Sequence, residues 1–98
     1  MIKVVMKRHC KPGKEHSLGD LLVDLRAKAM RQPGYVTGET LVRVDDATFY
    51  ITIGTWTRLD AWNAWENNEE RFELTRLIDG LLIDDPETYI CTPLVAED

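Results

Sequence analysis

The segment from Thr48 to Trp56, TFYITIGTW, carries large side chains on both of its faces. Phe49, Ile51 and Ile53 alternate with Tyr50, Thr52 and Trp56. Its β-branched and aromatic content makes it a strand, and a strand apolar on both sides belongs to a sheet that needs cover on both sides. The preceding segment from Tyr35 to Val44 (YVTGETLVRV) is of the same kind, and Asp45, Asp46 and Ala47 between the two are turn residues, so the pair reads as a hairpin. Residues 2 to 10 (IKVVMKRHC) form a further strand with Ile2, Val4 and Met6 on one face and Lys3, Val5, Lys7 and His9 on the other. Alternation places Arg8 opposite His9, so the two cannot enter one pocket from an unbulged strand.

Helical signals occupy the remaining chain. After the turn at Pro12 and Gly13, Leu18, Leu21, Leu22, Leu25 and Ala29 recur at helical spacing until Pro33 and Gly34, with Ser17 and Asp20 as candidate cap residues. Thr57, with Asp60 three residues later, is a candidate cap for a helix bearing Leu59, Trp62 and Trp65, which Asn67 and Asn68 break. A further helix is expected from about Glu69, with Phe72, Leu77, Ile78 and Leu81 inward, closed by Gly80 and by Asp84 to Pro86. A last strand is expected over Thr88 to Val95, where Pro93 indicates an edge or a bulge. The order βαββααβ predicts an α+β, ferredoxin-like sandwich on an antiparallel sheet. Helices cover one sheet face and nothing remains in the chain for the other. A second copy packed sheet to sheet supplies that cover, predicting a homodimer, a dimeric α/β barrel with a cavity beside each sheet.

The 98 residues are below the ~150 residues usual for a domain, so one domain, 1–98, is expected. Area scaling allows about 65% of the unfolded surface to be buried, enough for a core without staples. At 44% hydrophobic and 30% charged residues the composition is that of an ordinary globular chain, with no run long enough for a membrane span and no signal peptide in view. Cys10 and Cys91 lack any metal-binding spacing, so no metal and a reducing, cytoplasmic location are expected. A Cys10–Cys91 pair across the first and last strands is a further expectation. Residues 1 to 34 hold eight Lys and Arg against three acids, and residues 35 to 98 hold four against fourteen. The basic part has no interleaved aromatics, which argues against a nucleic-acid partner.

The opening strand followed by PGKEH, the segment RQPGYVTGETL (31–41), the third strand ending in Trp56 and LDAWNAWENNEE (59–70) together resemble the antibiotic biosynthesis monooxygenase superfamily of dimeric α/β barrels. The resemblance spans nearly the whole chain. It specifies the fold more than the reaction, because the scaffold hosts quinone-forming oxygenases, haem-degrading oxygenases and small-metabolite isomerases. For quinone-forming members it implies oxidation of a small aromatic or quinol by dioxygen with neither flavin nor metal: the substrate anion reduces dioxygen, and the protein binds and holds that anion. Trp65 matches the tryptophan of the haem-degrading branch. The histidine that branch places on the following helix has no counterpart, this chain offering Thr75 or its neighbours there. Where quinone-forming members carry an asparagine one turn before the tryptophan, this chain has Ala61, with Asn63 nearby.

The candidate catalytic residues are therefore His9, Asn63 and Trp65, and the candidate substrate-binding residues Arg8, Tyr35, Tyr50 and Trp62. Each has a plainer alternative. His9 carries an imidazole, the side chain type suited to taking a phenolic proton, and its plainer reading is a strand-end residue in water. Trp62 and Trp65 are a cavity wall or core. Tyr35 and Tyr50 are donors to a ligand or good strand formers at a dimer seam. The competing function is a non-enzymatic dimeric binding protein for a hydrophobic metabolite.

Overall fold

Burial along the first strand decides which side of the sheet the helices cover. In β1 (Ile2–His9), Ile2, Val4, Met6 and Arg8 are buried, while Lys3, Val5, Lys7 and His9 are half-exposed. The computed structural model describes residues 1–95, so 96–98, the end of the expected domain, lie outside it. After β1 come α1 (Glu15–Ala29), β2 (Tyr35–Val42), β3 (Phe49–Trp56), α2 (Leu59–Glu66), α3 (Glu69–Asp79) and β4 (Glu87–Cys91). The strands form one antiparallel sheet in the order β2-β3-β1-β4, so the ferredoxin-like α+β fold is present as read.

Two clusters share the helix-covered face. One joins Ile2, Val4, Met6 and Trp56 of the sheet to Ala29, Ala61, Trp62 and Trp65. The other joins Cys10 and Tyr50 to Leu18, Leu22, Ile78 and Leu82. The opposite face has no helix: Val5, Phe49, Ile51 and Ile53 are half-exposed there, and Leu41 and Tyr89 are 44% and 46% exposed. No helix among the described residues is long and apolar enough to cross a membrane.

Several expectations are corrected. In α3, Phe72 and Leu77 are 65% and 51% exposed, and the inward residues are Leu74 and Ile78. Asn68 sets that phase: its side chain caps α3, accepting from the N–H groups of Glu70 at 2.8 Å and Arg71 at 3.4 Å, which turns Arg71, Leu74 and Ile78 inward at i, i+3 and i+7. α1 begins before Ser17 and has no side-chain cap. Instead Glu15 reaches back to the Gly13 N–H at 3.1 Å. Thr57 does not cap α2, whose cap position is Arg58; the Thr57 N–H donates to Gly34 O at 2.8 Å. β4 stops at Cys91, short of Pro93, which has no N–H for the ladder. Cys91 pairs with Lys3, seven residues and so about 23 Å along β1 from Cys10. Both cysteines are free thiols, and no cross-strand pair forms.

Gly13 and Gly34 have positive φ, +87° and +89°, a region that costs an L side chain about 1–2 kcal/mol. A methyl at Gly13 meets open space, whereas one at Gly34 collides with the Ala61 Cβ and touches Thr57 Oγ1. Chemical denaturation is therefore expected to show Gly13→Ala losing about 1 kcal/mol and Gly34→Ala losing about 3 kcal/mol once overpacking is added. Equal losses would contradict the packing of the α1–β2 turn on α2.

Candidate active site

Between the helix-covered face and α1, α2 and α3 lies a cleft of about 80 Å³. Its walls come from β1 (Val4, Met6, Arg8), α1 (Leu22, Leu25, Ala29) and the three tryptophans. Trp56, at the end of β3, is 2% exposed and meets Trp62 nearly edge-on, with ring centroids 5.8 Å apart. Tyr35 meets Trp56 from the other side, edge to face at 5.3 Å. Such pairings fix ring orientation as well as bury area.

Two features keep the space open. Gly38 and Gly54 are cross-strand partners on β2 and β3, and both line the cleft. With no Cβ at either position the sheet offers a flat shelf facing the tryptophans. Tyr35 uses the same gap, its hydroxyl lying where a Gly38 Cβ would come within 2.6 Å. An irregularity of register between Tyr35 and Thr37 bends β2 at this point.

The second feature is charge. Arg8 is 3% exposed on an otherwise apolar row. Its Nη1 donates to Thr52 Oγ1 at 3.4 Å, and Thr52 shares a 3.3 Å hydrogen bond with the exposed Thr40 at the mouth. Arg71, in the first turn of α3, stacks its guanidinium 5.1 Å from the centre of the Trp62 ring. The Nε of Arg8, the Nε of Arg71 and the Nε1 of Trp62 are all buried with no partner. Among the described residues neither arginine has a carboxylate within ion-pairing distance. Burial, reinforced by the charge of Arg71, brings the Arg8 pKa down to about 10, against a weaker upward pull from Asp79. Burial also lowers Arg71 and raises the Asp79 carboxyl. Both arginines remain cations at neutral pH, held in a place poorly solvated by water. Such a site favours an anion.

Of the residues singled out from sequence, Arg8, Tyr35, Trp62 and Trp65 come together around this cleft. Trp65 also borders a second hollow of about 150 Å³ with Gln32, Pro33 and Arg58, so this residue lines both spaces. Three others lie elsewhere. His9 is on the helix-free face, its ring 6.0 Å from that of Phe49, because the alternation that buries Arg8 turns it away. Asn63 is on the exposed side of α2, its carbonyl accepting from the Asn67 side chain at 2.8 Å. Tyr50 is buried in the second cluster with Cys10 and Leu18, and burial raises its phenol pKa. Sequence reasoning missed Arg71 and the Gly38–Gly54 shelf. The signal for Arg71 was its spacing from Leu74 and Ile78, which is that of a buried stripe.

Comparison with known proteins places this geometry. No curated protein matches the sequence. Among solved structures, an antibiotic biosynthesis monooxygenase superposes with a TM-score of 0.90 at 20% identity, over 97% of this chain and 100% of that one. SnoaB from Streptomyces nogalater, a cofactor-independent oxygenase, superposes with a TM-score of 0.89 at 20% identity, over 97% and 94%. A conserved protein from Methanosarcina mazei gives 0.86 at 18% identity, over 91% and 88%. At these identities the likeness is one of fold. The sequence model for antibiotic biosynthesis monooxygenase matches residues 1–73, and the chain belongs to that family.

Proposed function

We propose that the protein is a cofactor-independent monooxygenase that oxidises a small aromatic or quinol substrate with dioxygen in the cleft between helices and sheet. The observation that carries this reading is a pair of cations, buried Arg8 and half-buried Arg71, whose Nε atoms have no partner among the described residues, beside a tryptophan-walled space. An electron-rich phenol or enol becomes reducing towards dioxygen when it loses its proton, and a cation in a low-dielectric site favours that ionised form. Arg8 and Arg71 hold the anion, and Trp56, Trp62 and Trp65 exclude water from it. The proton leaves toward the mouth, where Thr52 and Thr40 are hydrogen-bonded. The anion and dioxygen then combine through carbon. A ring CH2, in the keto form of the phenol, ends as a quinone C=O, both its hydrogens leave with the second oxygen as water, and four electrons pass from substrate to dioxygen. The likeness in fold to SnoaB supports a reaction of this class. The cleft is about half of the ~150 Å³ that admits benzene, so a single ring entering from the mouth fits with least rearrangement.

A homodimer belongs to the same reading. The helix-free face carries an apolar middle and both signs of charge, Lys3 and Lys7 with Glu39 and Glu87, as a self-complementary two-fold contact needs. His9 then lies at the seam and not at the reacting centre. The two free thiols suit a reducing, cytoplasmic compartment. The alternative, a binding protein for a hydrophobic metabolite, is favoured by one observation: among the described residues the cleft is lined mainly by arginines, tryptophans and aliphatic side chains, with no histidine.

Oxygen-electrode assays across a panel of quinols and anthrones are expected to show uptake that Trp65→Ala cuts at least tenfold, by joining the cleft to the second hollow, and that His9→Ala leaves within twofold. Tight binding without uptake for every compound would select the binding protein instead.

Arg8→Met is expected to abolish uptake and yet raise stability by about 1 kcal/mol or more. The sign follows from the depressed pKa. Folding takes a charged Arg8 into a poorly solvated site, a penalty fully present below about pH 10 and lifted as pH rises through that value. The stability gap between variant and wild type should therefore narrow above pH 10. A variant less stable than wild type at pH 7 would contradict the assignment of Arg8 as an uncompensated buried cation.

Light scattering at micromolar protein is expected to give twice the mass of one chain. A monomer would refute the sheet-to-sheet contact.

A further inference from the structure

The donors in the cleft specify more than an apolar ring. Arg8, Arg71 and Trp62, from three elements, line one space, and the Arg8 Nε, Arg71 Nε and Trp62 Nε1 are buried there with no partner among the described residues. Arg8 is fixed on β1 with its guanidinium turned back toward Thr52, the residue that pairs with Met6. Arg71 is fixed by the Asn68 cap beneath it and the Trp62 ring beside it. The Gly38–Gly54 shelf lies on the same sheet face two residues along β3 from Thr52, about 7 Å away, so apolar floor and cationic end are adjacent. The arginines are charged before any substrate ionises, and the pull of Asp79 on both and of Glu66 on Arg71 is weaker than the effect of burial, so the guest that complements them at rest is a group already anionic at neutral pH. A phenol, with a pKa near 10, meets that need only after losing its proton. A carboxylate meets it at once, and its planar pair of oxygens suits two guanidinium groups.

We propose that the substrate is a single-ring aromatic acid, its ring over the Gly38–Gly54 shelf against the tryptophans and its carboxylate on Arg8 and Arg71. This rests on the oxygenase reading for the reaction, but the binding mode is testable apart from it. The carboxylate anchors the ring and leaves the oxidisable position toward the mouth, where dioxygen enters.

The test is calorimetric titration at pH 7 with a matched pair of probes, 2,5-dihydroxybenzoate and hydroquinone, which differ only in the carboxylate. The acid is expected to bind at least tenfold more tightly. Arg71→Gln, at a partly exposed position, should remove at least that tenfold advantage by weakening the acid far more than hydroquinone; Arg8→Gln should do the same if it folds. The advantage should also vanish as the carboxylate is protonated near pH 4. Equal affinity for the two probes, or an Arg71→Gln variant that weakens both alike, would overturn the proposal. Binding of the acid with no oxygen uptake would sustain it while removing the oxygenase reading. Uptake with hydroquinone and no binding of the acid would do the reverse.

Discussion

A guanidinium on the apolar side of a central strand governs the rest of this molecule. Arg8 follows Ile2, Val4 and Met6 on the buried row of β1 and is as inaccessible as they are. A charge in that position cannot be covered by packing aliphatic side chains onto it, because burial without a partner costs more than the contacts return. Beside the aliphatic side chains of β1 and α1, the space around it is lined by the Thr52 hydroxyl, the Trp62 ring with Arg71 stacked on it, and two glycines with nothing to push into the gap. The cleft is what remains when a core is built around a residue that is not core material.

One alternation produces both working surfaces. The even-numbered residues of β1 and β3 face the helices and make the cleft; the odd-numbered ones make the helix-free face with its half-exposed Val5, Ile51 and Ile53. A one-residue slip of either strand would exchange the two sets, so the register that excludes His9 from the cleft is the same register that leaves an apolar sheet face without helix cover.

The fold was legible because it depends on patterns of period two and 3.6 that seven segments display without ambiguity, and the order of those segments leaves few topologies. Element ends were less so. Thr57 has the chemistry of a cap and spends its N–H on Gly34 instead, while Asn68, which looks like a helix breaker, is the cap that fixes Arg71. The candidate site was legible by half. Arg8, Tyr35, Trp62 and Trp65 stood out through residue type and strand phase. His9 and Asn63 were attractive for their chemistry but lie on outward faces, a matter of orientation that residue type does not carry. Arg71 was hidden because a charged residue in the first turn of a helix normally lies in solvent, and Phe72 beside it drew the inward face one position round.

On the proposed reading Arg8 and Arg71 form an anion-binding site at the cleft. The most direct measurement is of the arginine Nε–Hε resonances by heteronuclear NMR as 2,5-dihydroxybenzoate is added. The account predicts saturable shifts confined to Arg8 and Arg71, together with the Trp62 indole N–H, while Arg43, paired with Asp45 on the far hairpin, stays fixed. Unchanged Arg8 and Arg71 signals at saturating acid, or shifts of equal size on Arg43, would contradict it.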